Sequence, residues 1–209
     1  MNYFYKNRYD FYSQNYWKDE HNDLFKPNGF TVYPNKEYNY FVNLIDNLNT
    51  LNQCSVIDVC CGNGLLLKHL IEHCSSQIIP YGIDFLENSI QQAKTVIHPN
   101  FRNNFFVSNA INFKFSNYFF DFVLLDPYHF TDKDLNKLFQ ILIKQTSNSI
   151  VLYTYADVLM QNKLQSVTDF SALNGINNLQ VYNYEEISIA VLDCKKINVM
   201  PKQQSIKEY

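Results

Sequence analysis

Short apolar runs alternate with amphipathic stretches along most of the chain. Residues 55–60 (SVIDVC) form an apolar run that ends at glycines. Residues 65–74 follow, with apolar side chains at 67, 70, 71 and 74 on one face of a helix. The pattern repeats: residues 78–84 (IIPYGID) read as a second strand and residues 87–96 as its helix, and residues 104–108 (NFFVS) read as a third strand. Residues 120–126 (FDFVLLD) are apolar throughout between two aspartates, as expected of a strand covered on both faces. At Thr131 a further helix begins, with Asp134 three residues on to complete a capping box. Residues 150–155 (IVLYTY) are a fifth strand.

Strands that alternate with helices make a parallel, doubly wound sheet. The end of the chain departs from this rhythm. Only Glu185 and Glu186 separate the apolar runs 179–184 and 187–193, too few residues for a helical crossover. These two must pair as an antiparallel hairpin at the sheet edge. The expected fold is therefore α/β: a three-layer sandwich around a seven-stranded, mostly parallel sheet. Residues 1–50 precede the sheet and predict one or two helices across the strand ends, residues 51–199 the domain itself, and residues 200–209 a solvated tail.

Composition narrows the function classes. Hydrophobic residues are 46% of the 209, enough for a sizeable core. No run reaches the roughly 18 apolar residues of a membrane span, and the opening MNYFYKNRYDFY lacks the continuous apolar stretch of a secretory signal. The expected location is cytoplasmic. Seventeen basic and 20 acidic residues, net −3, are mixed along the chain with no basic stripe, which argues against a nucleic-acid partner. The five cysteines match no CxxC spacing and read as reduced thiols, three of them buried. The excess of Asn, Tyr, Phe and Ile follows AT-rich codons and carries no functional weight.

The glycine turn at 62–64 carries the chemistry. No Walker loop, GxxxxGK[ST], occurs. A dinucleotide loop, GxGxxG, would need a small residue where Leu67 stands. Asp58, just before the turn, would repel a pyrophosphate but attract an ammonium and a sulfonium. The segment DVCCGNG, residues 58–64, resembles the first motif of class I S-adenosylmethionine-dependent methyltransferases, D-x-G-x-G-x-G, with cysteine at the first glycine. The resemblance implies that fold, that cofactor (with S-adenosylhomocysteine as product) and methyl transfer. It implies that Asp58 holds the cofactor while Cys60, Gly62 and Gly64 let the backbone approach its methionine portion. Asp84, 20 residues after Gly64, stands where such folds place the carboxylate that binds the ribose. Phe85 and Leu86 would pack on the adenine, and Asn109-Ala110 stands for the family's acid-Ala pair, with Asn109 accepting from the adenine amine.

On the acceptor side, residues 125–132 (LDPYHFTD) resemble two motifs. One is the L-H-H-F-x-D segment of small-molecule methyltransferases, which makes His129 a general-base candidate. The other is the (D/N)-P-P-(Y/F) motif of enzymes that methylate exocyclic amines of bases or glutamine, with Asp126 and Tyr128 in the working positions. Only one proline is present, and no basic surface accompanies it. A small-molecule acceptor, taking the methyl on O or N near Asp126, Tyr128 and His129, is therefore favoured over RNA or protein. A non-catalytic partner subunit is the third reading. Residues 69–73 (HLIEH) also fit the HxxEH zinc form, but they lie on the helix opened by the glycine turn. With Leu70 and Ile71 buried, both histidines are expected near solvent and no metal is expected. Tyr9, Tyr12, Tyr16 and Trp17 fall at helical spacing; they suggest either a packed helix or a lid in which Tyr16 and Trp17 cover the acceptor.

Overall fold

The computed structural model describes residues 37–155, 179–184 and 187–195. Helix α1 (Tyr38–Leu48) precedes strand β1 (Gln53–Val59) and helix α2 (Leu65–His73). Strand β2 (Gln77–Asp84), helix α3 (Glu87–Val96) and the short strand β3 (Phe105–Val107) follow. Then come β4 (Phe120–Leu125), helix α4 (Asp132–Gln145), β5 (Thr146–Tyr155), β6 (Leu179–Asn183) and β7 (Ile187–Asp193). The sheet order is β3-β2-β1-β4-β5-β7-β6. Strands β1 to β5 run parallel. β7 is antiparallel to both β5 and β6, so the terminal hairpin closes one edge with β6 outermost.

Two cores sandwich the sheet. Helices α1, α2 and α3 pack on one face, over Val56, Ile78, Phe122, Leu124 and Val151. Helix α4 covers the other, over Ile57, Val123, Leu125 and Ile150. Successive residues of β1 and β4 thus serve opposite cores, the period-two alternation of a strand buried on both sides. α4 starts as its sequence dictates: Thr131 accepts a hydrogen bond from the Asp134 amide at 3.2 Å, and its hydroxyl donates to Asp134 Oδ2 at 2.7 Å. Cys54, Cys61 and Cys194 are the three buried thiols.

β5 begins four residues before its apolar run, at Thr146. The polar segment 146–149 enters the sheet because its side chains find specific partners: Thr146 donates to the Leu142 carbonyl, Ser147 to Asp121 and Asn148 to the Leu48 carbonyl. The histidine expectation is corrected. His73 is exposed, but His69 is buried and Ile71 only partly so. α1 lies over α2, so His69 Nε2 meets Asn39 Oδ1 at 3.0 Å and its ring packs against Tyr38 and His73. Tyr9, Tyr12, Tyr16, Trp17 and the 200–209 tail lie outside the described residues. No helix among the described residues is long and apolar enough to cross a membrane.

Gly82 shows how tightly the strand ends are drawn together. A Cβ there would lie 2.6 Å from the Phe105 ring and 2.8 Å from Cys61 Sγ. Gly82→Ala is expected to lose about 2 kcal/mol through overpacking and to lower Tm by roughly 4–8 °C in a thermal melt. An unchanged Tm would mean that β3 and the loop yield without cost.

Candidate functional site

The strand order reverses between β1 and β4, and in open α/β sheets ligands bind in the crevice at such a switch point. Asp58 pairs with Gly82 in β2 and with Leu124 in β4. Two residues further along each strand, Cys60 stands between Asp84 on one side and Asp126 on the other. The register therefore brings three carboxylates to one crevice, and all three are buried: Asp58 is 2%, Asp84 7% and Asp126 5% exposed.

Backbone donors hold the loop above them. The amides of Cys60 and Cys61 both donate to the Ile83 carbonyl, at 2.8 and 3.0 Å. Asp84 accepts from the Gly62 amide through Oδ2 at 2.9 Å and from the Leu86 amide through Oδ1 at 2.8 Å. Burial pushes the Asp84 carboxyl up, and these amides pull it back part of the way. Cys60, Gly62 and Gly64 all adopt positive φ (73°, 53° and 74°). For Cys60 this conformation costs on the order of 1 kcal/mol, held in place by its amide bond to β2. Gly64 is needed for packing as well as for φ: a Cβ would come within 2.9 Å of Ala93 Cβ on α3. Its missing side chain faces a helix.

A pocket opens over the loop, lined by Tyr38, Asp58, Cys60, Cys61, Asn63, Leu66 and Tyr153. Two polar atoms in its wall, Asp58 Oδ1 and Asn63 Nδ2, are buried and have no hydrogen-bond partner among the described residues. A buried, orphaned polar group costs about 1–3 kcal/mol, so this wall is suited to a ligand that carries both a donor and an acceptor. Sequence reasoning reached Asp58 and Cys60 but missed Tyr38, Asn63 and Tyr153. A helical stripe at 38, 41, 42 and 45 was the available signal for α1; for Tyr153, two strands from Asp58, there was none.

Phe85 and Leu86 are half-buried at the exit of β2, and Ala110 is buried. Asn109 Oδ1 already accepts from the Ile111 amide at 3.0 Å, capping the turn Ala110–Asn112; one lone pair remains for a further donor. Pro127–His129 is a short 3-10 turn after β4. Within it His129 Nε2 lies 3.4 Å from Asp126 Oδ2, and the imidazole stays partly exposed at 24%. Of Tyr128 the backbone alone is described.

Burial, and then the charges of Asp84 and Asp126, push the Asp58 carboxyl up to about 8, while a hydrogen bond from Tyr153 pulls it down. The folded protein thus keeps a proton that the unfolded chain releases near pH 4. The stability tied to that proton is complete below the unfolded pKa and is lost as pH rises from about 4 through about 8. Denaturant unfolding is expected to show wild type losing roughly a few kcal/mol between pH 5 and 8 through Asp58. Asp58→Asn, which cannot ionise, should lack this part of the slope and be the more stable protein at pH 8; parallel slopes would refute the buried, protonated carboxyl.

Residues 56–147 match the family model of a methyltransferase domain. The fold is similar to that of an O-methyltransferase family protein from Burkholderia thailandensis, with TM-score 0.56 and 15% identity over 74% of this chain and 55% of that one. It is also similar to magnesium protoporphyrin IX methyltransferase from Synechocystis PCC 6803 with bound S-adenosylmethionine, with TM-score 0.55 and 18% identity over 74% and 77%. A protein from Clostridium thermocellum described as an rRNA methylase gives TM-score 0.57 and 12% identity over 78% and 100%. The chain spans about half the length of the Burkholderia protein. At these identities the likeness concerns the fold. No curated protein matches the chain by sequence.

Proposed function

We propose that this chain, whose residues 56–147 match the family model of a methyltransferase domain, is a class I S-adenosylmethionine-dependent methyltransferase that methylates a small-molecule acceptor at the turn that holds Asp126 and His129. The observation that carries the reading is the crevice of three buried carboxylates in which Asp58 Oδ1 has no partner among the described residues. Such a site repels a phosphate and favours a ligand with positive charge. S-adenosylmethionine has two such charges and, when bound, supplies a methyl group on a positively charged sulfur.

In this reading Asp58 holds the ammonium, and the backbone at Cys60 and Gly62 lines the methionine portion. Asp84 receives the ribose hydroxyls on the lone pairs that the Gly62 and Leu86 amides leave open. The half-buried Phe85 covers one face of the adenine, and Asn109 with Ala110 meets its edge. His129 is the base. Asp126 Oδ2, 3.4 Å from Nε2, orients the imidazole that takes the acceptor's proton. Much of the rate comes from alignment of acceptor and methyl group, which the rigid strand ends provide. The small-molecule class is supported by the mixed charge, net −3, which gives no basic track for a polynucleotide.

Calorimetric titration tests the donor side: wild type binds S-adenosylhomocysteine, and Asp84→Ala weakens that binding by at least about tenfold through the lost charged contacts. Wild type that binds nothing would sink the proposal. His129→Ala is expected to leave S-adenosylhomocysteine affinity unchanged while slowing methyl transfer about 10²–10⁴-fold. Isotope-labelled methyl groups, offered with fractionated small molecules, RNA and protein, identify the acceptor class. Label in RNA or protein would overturn the small-molecule assignment.

A further inference from the structure

The reading above gives Asp58 a task but leaves Asn63 and Tyr153, buried in the same pocket, without one. Asp58 and Tyr153 project from the same face of the sheet as Val56, Leu124 and Val151, into the core beneath α1 and α2. Strand β4 lies between them, so Tyr153 reaches across one strand to hydrogen-bond Asp58. Because Asp58 Oδ1 has no partner among the described residues, that bond falls on the other carboxylate oxygen. The Tyr153 ring is 7% exposed and is fixed edge-on against Phe41 of α1, with centroids 5.1 Å apart. Asn63, 3% exposed, has its own orientation fixed: Oδ1 accepts from the Leu65 amide at 3.4 Å, and Nδ2 has no partner among the described residues. One wall thus offers an unused acceptor, Asp58 Oδ1, and an unused donor, Asn63 Nδ2. An α-amino acid presents the matching pair, an ammonium and a carboxylate.

Resting on the proposed cofactor assignment, we propose that Tyr153 and Asn63 select the amino-acid end of S-adenosylmethionine. Tyr153 is a positioning residue that occupies one oxygen of Asp58 and leaves Oδ1 for the ammonium, while Asn63 Nδ2 binds the carboxylate. Around Asp58 stand Asp84 from β2, Asp126 from the exit of β4 with His129 against it, Tyr153 from β5, and Cys60 and Cys61 from the loop. Tyr38, next to Glu37, faces it from α1, and α2 presents Leu66. The carboxylates oppose ionisation of Asp58 and Tyr153 favours it, so an ammonium ligand must displace a proton at neutral pH, and the phenol lowers the cost of doing so.

The test compares S-adenosylhomocysteine with 5′-methylthioadenosine, which lacks the amino-acid end, by calorimetry on wild type, Tyr153→Phe and Asn63→Ala between pH 6 and 9. The ligand's own titration cancels in the ratio of two proteins' affinities. Loss of one hydrogen bond to a charged group is expected to make Tyr153→Phe about tenfold weaker for S-adenosylhomocysteine at pH 7. That ratio narrows to about twofold at pH 9 as Asp58 ionises in both proteins, and methylthioadenosine binding stays unchanged. Asn63→Ala weakens S-adenosylhomocysteine about fivefold at every pH and again spares methylthioadenosine. A ratio for Tyr153→Phe that is constant with pH, or equal losses for the two ligands, overturns the inference. If Tyr153→Phe does not fold, wild type and Asn63→Ala decide: equal pH slopes for the two ligands, or an unaffected Asn63→Ala, refute it. Wild type that binds methylthioadenosine but not S-adenosylhomocysteine refutes this inference alone, and wild type that binds neither removes the cofactor assignment as well.

Discussion

Three carboxylates at the ends of neighbouring strands repel one another, and burial strengthens the repulsion by removing the water that would screen it. The register of β1 with β2 and β4 brings them together: Asp58 lies within β1, Asp84 ends β2 and Asp126 follows β4. Much of the local architecture answers this constraint. Backbone amides from Gly62 and Leu86 neutralise part of Asp84, Tyr153 does the same for one oxygen of Asp58, and His129 stands against Asp126. What these contacts leave unanswered, an oxygen of Asp58, is where a cationic ligand gains most. The free protein gives up stability at neutral pH to keep the crevice ready, a trade common at functional sites.

The same constraint explains the loop. To bring a backbone over the carboxylates, the chain must leave β1, turn within five residues and enter α2. That turn uses positive φ at Cys60, Gly62 and Gly64. Close packing then presses it between β2 and α3: Gly82 makes room for Cys61 and Phe105, and Gly64 makes room for Ala93. Cys60 is the exception, a side chain where the turn favours none. Its thiol lies in the pocket wall, so the strain is borne at the place where the ligand would sit.

The turn after β4 is held more loosely. Asp126 and His129 sit on a short turn, and the contact between them, at 3.4 Å, is long for a hydrogen bond.

Local pattern determined a great deal. Alternation of apolar runs and helical stripes is a property of neighbouring residues, so the seven strands, the parallel order and the terminal hairpin were readable from it. Asp58 and Asp84 were readable because each ends a strand at a fixed spacing from the glycines. The polar start of β5 was not, because its side chains are satisfied by partners as distant as Asp121 and Leu48. The burial of His69 was not either, because it depends on α1 crossing α2. Tyr38 and Tyr153 reach the pocket through helix placement and register, which bring residues 25 and 90 positions from Asn63 to the loop that holds it. Sequence alone fixed which groups could attract a cation, since charge and spacing are local properties. Only the tertiary structure decided which of their atoms remain free to do so, since that depends on every neighbour that has already bound them.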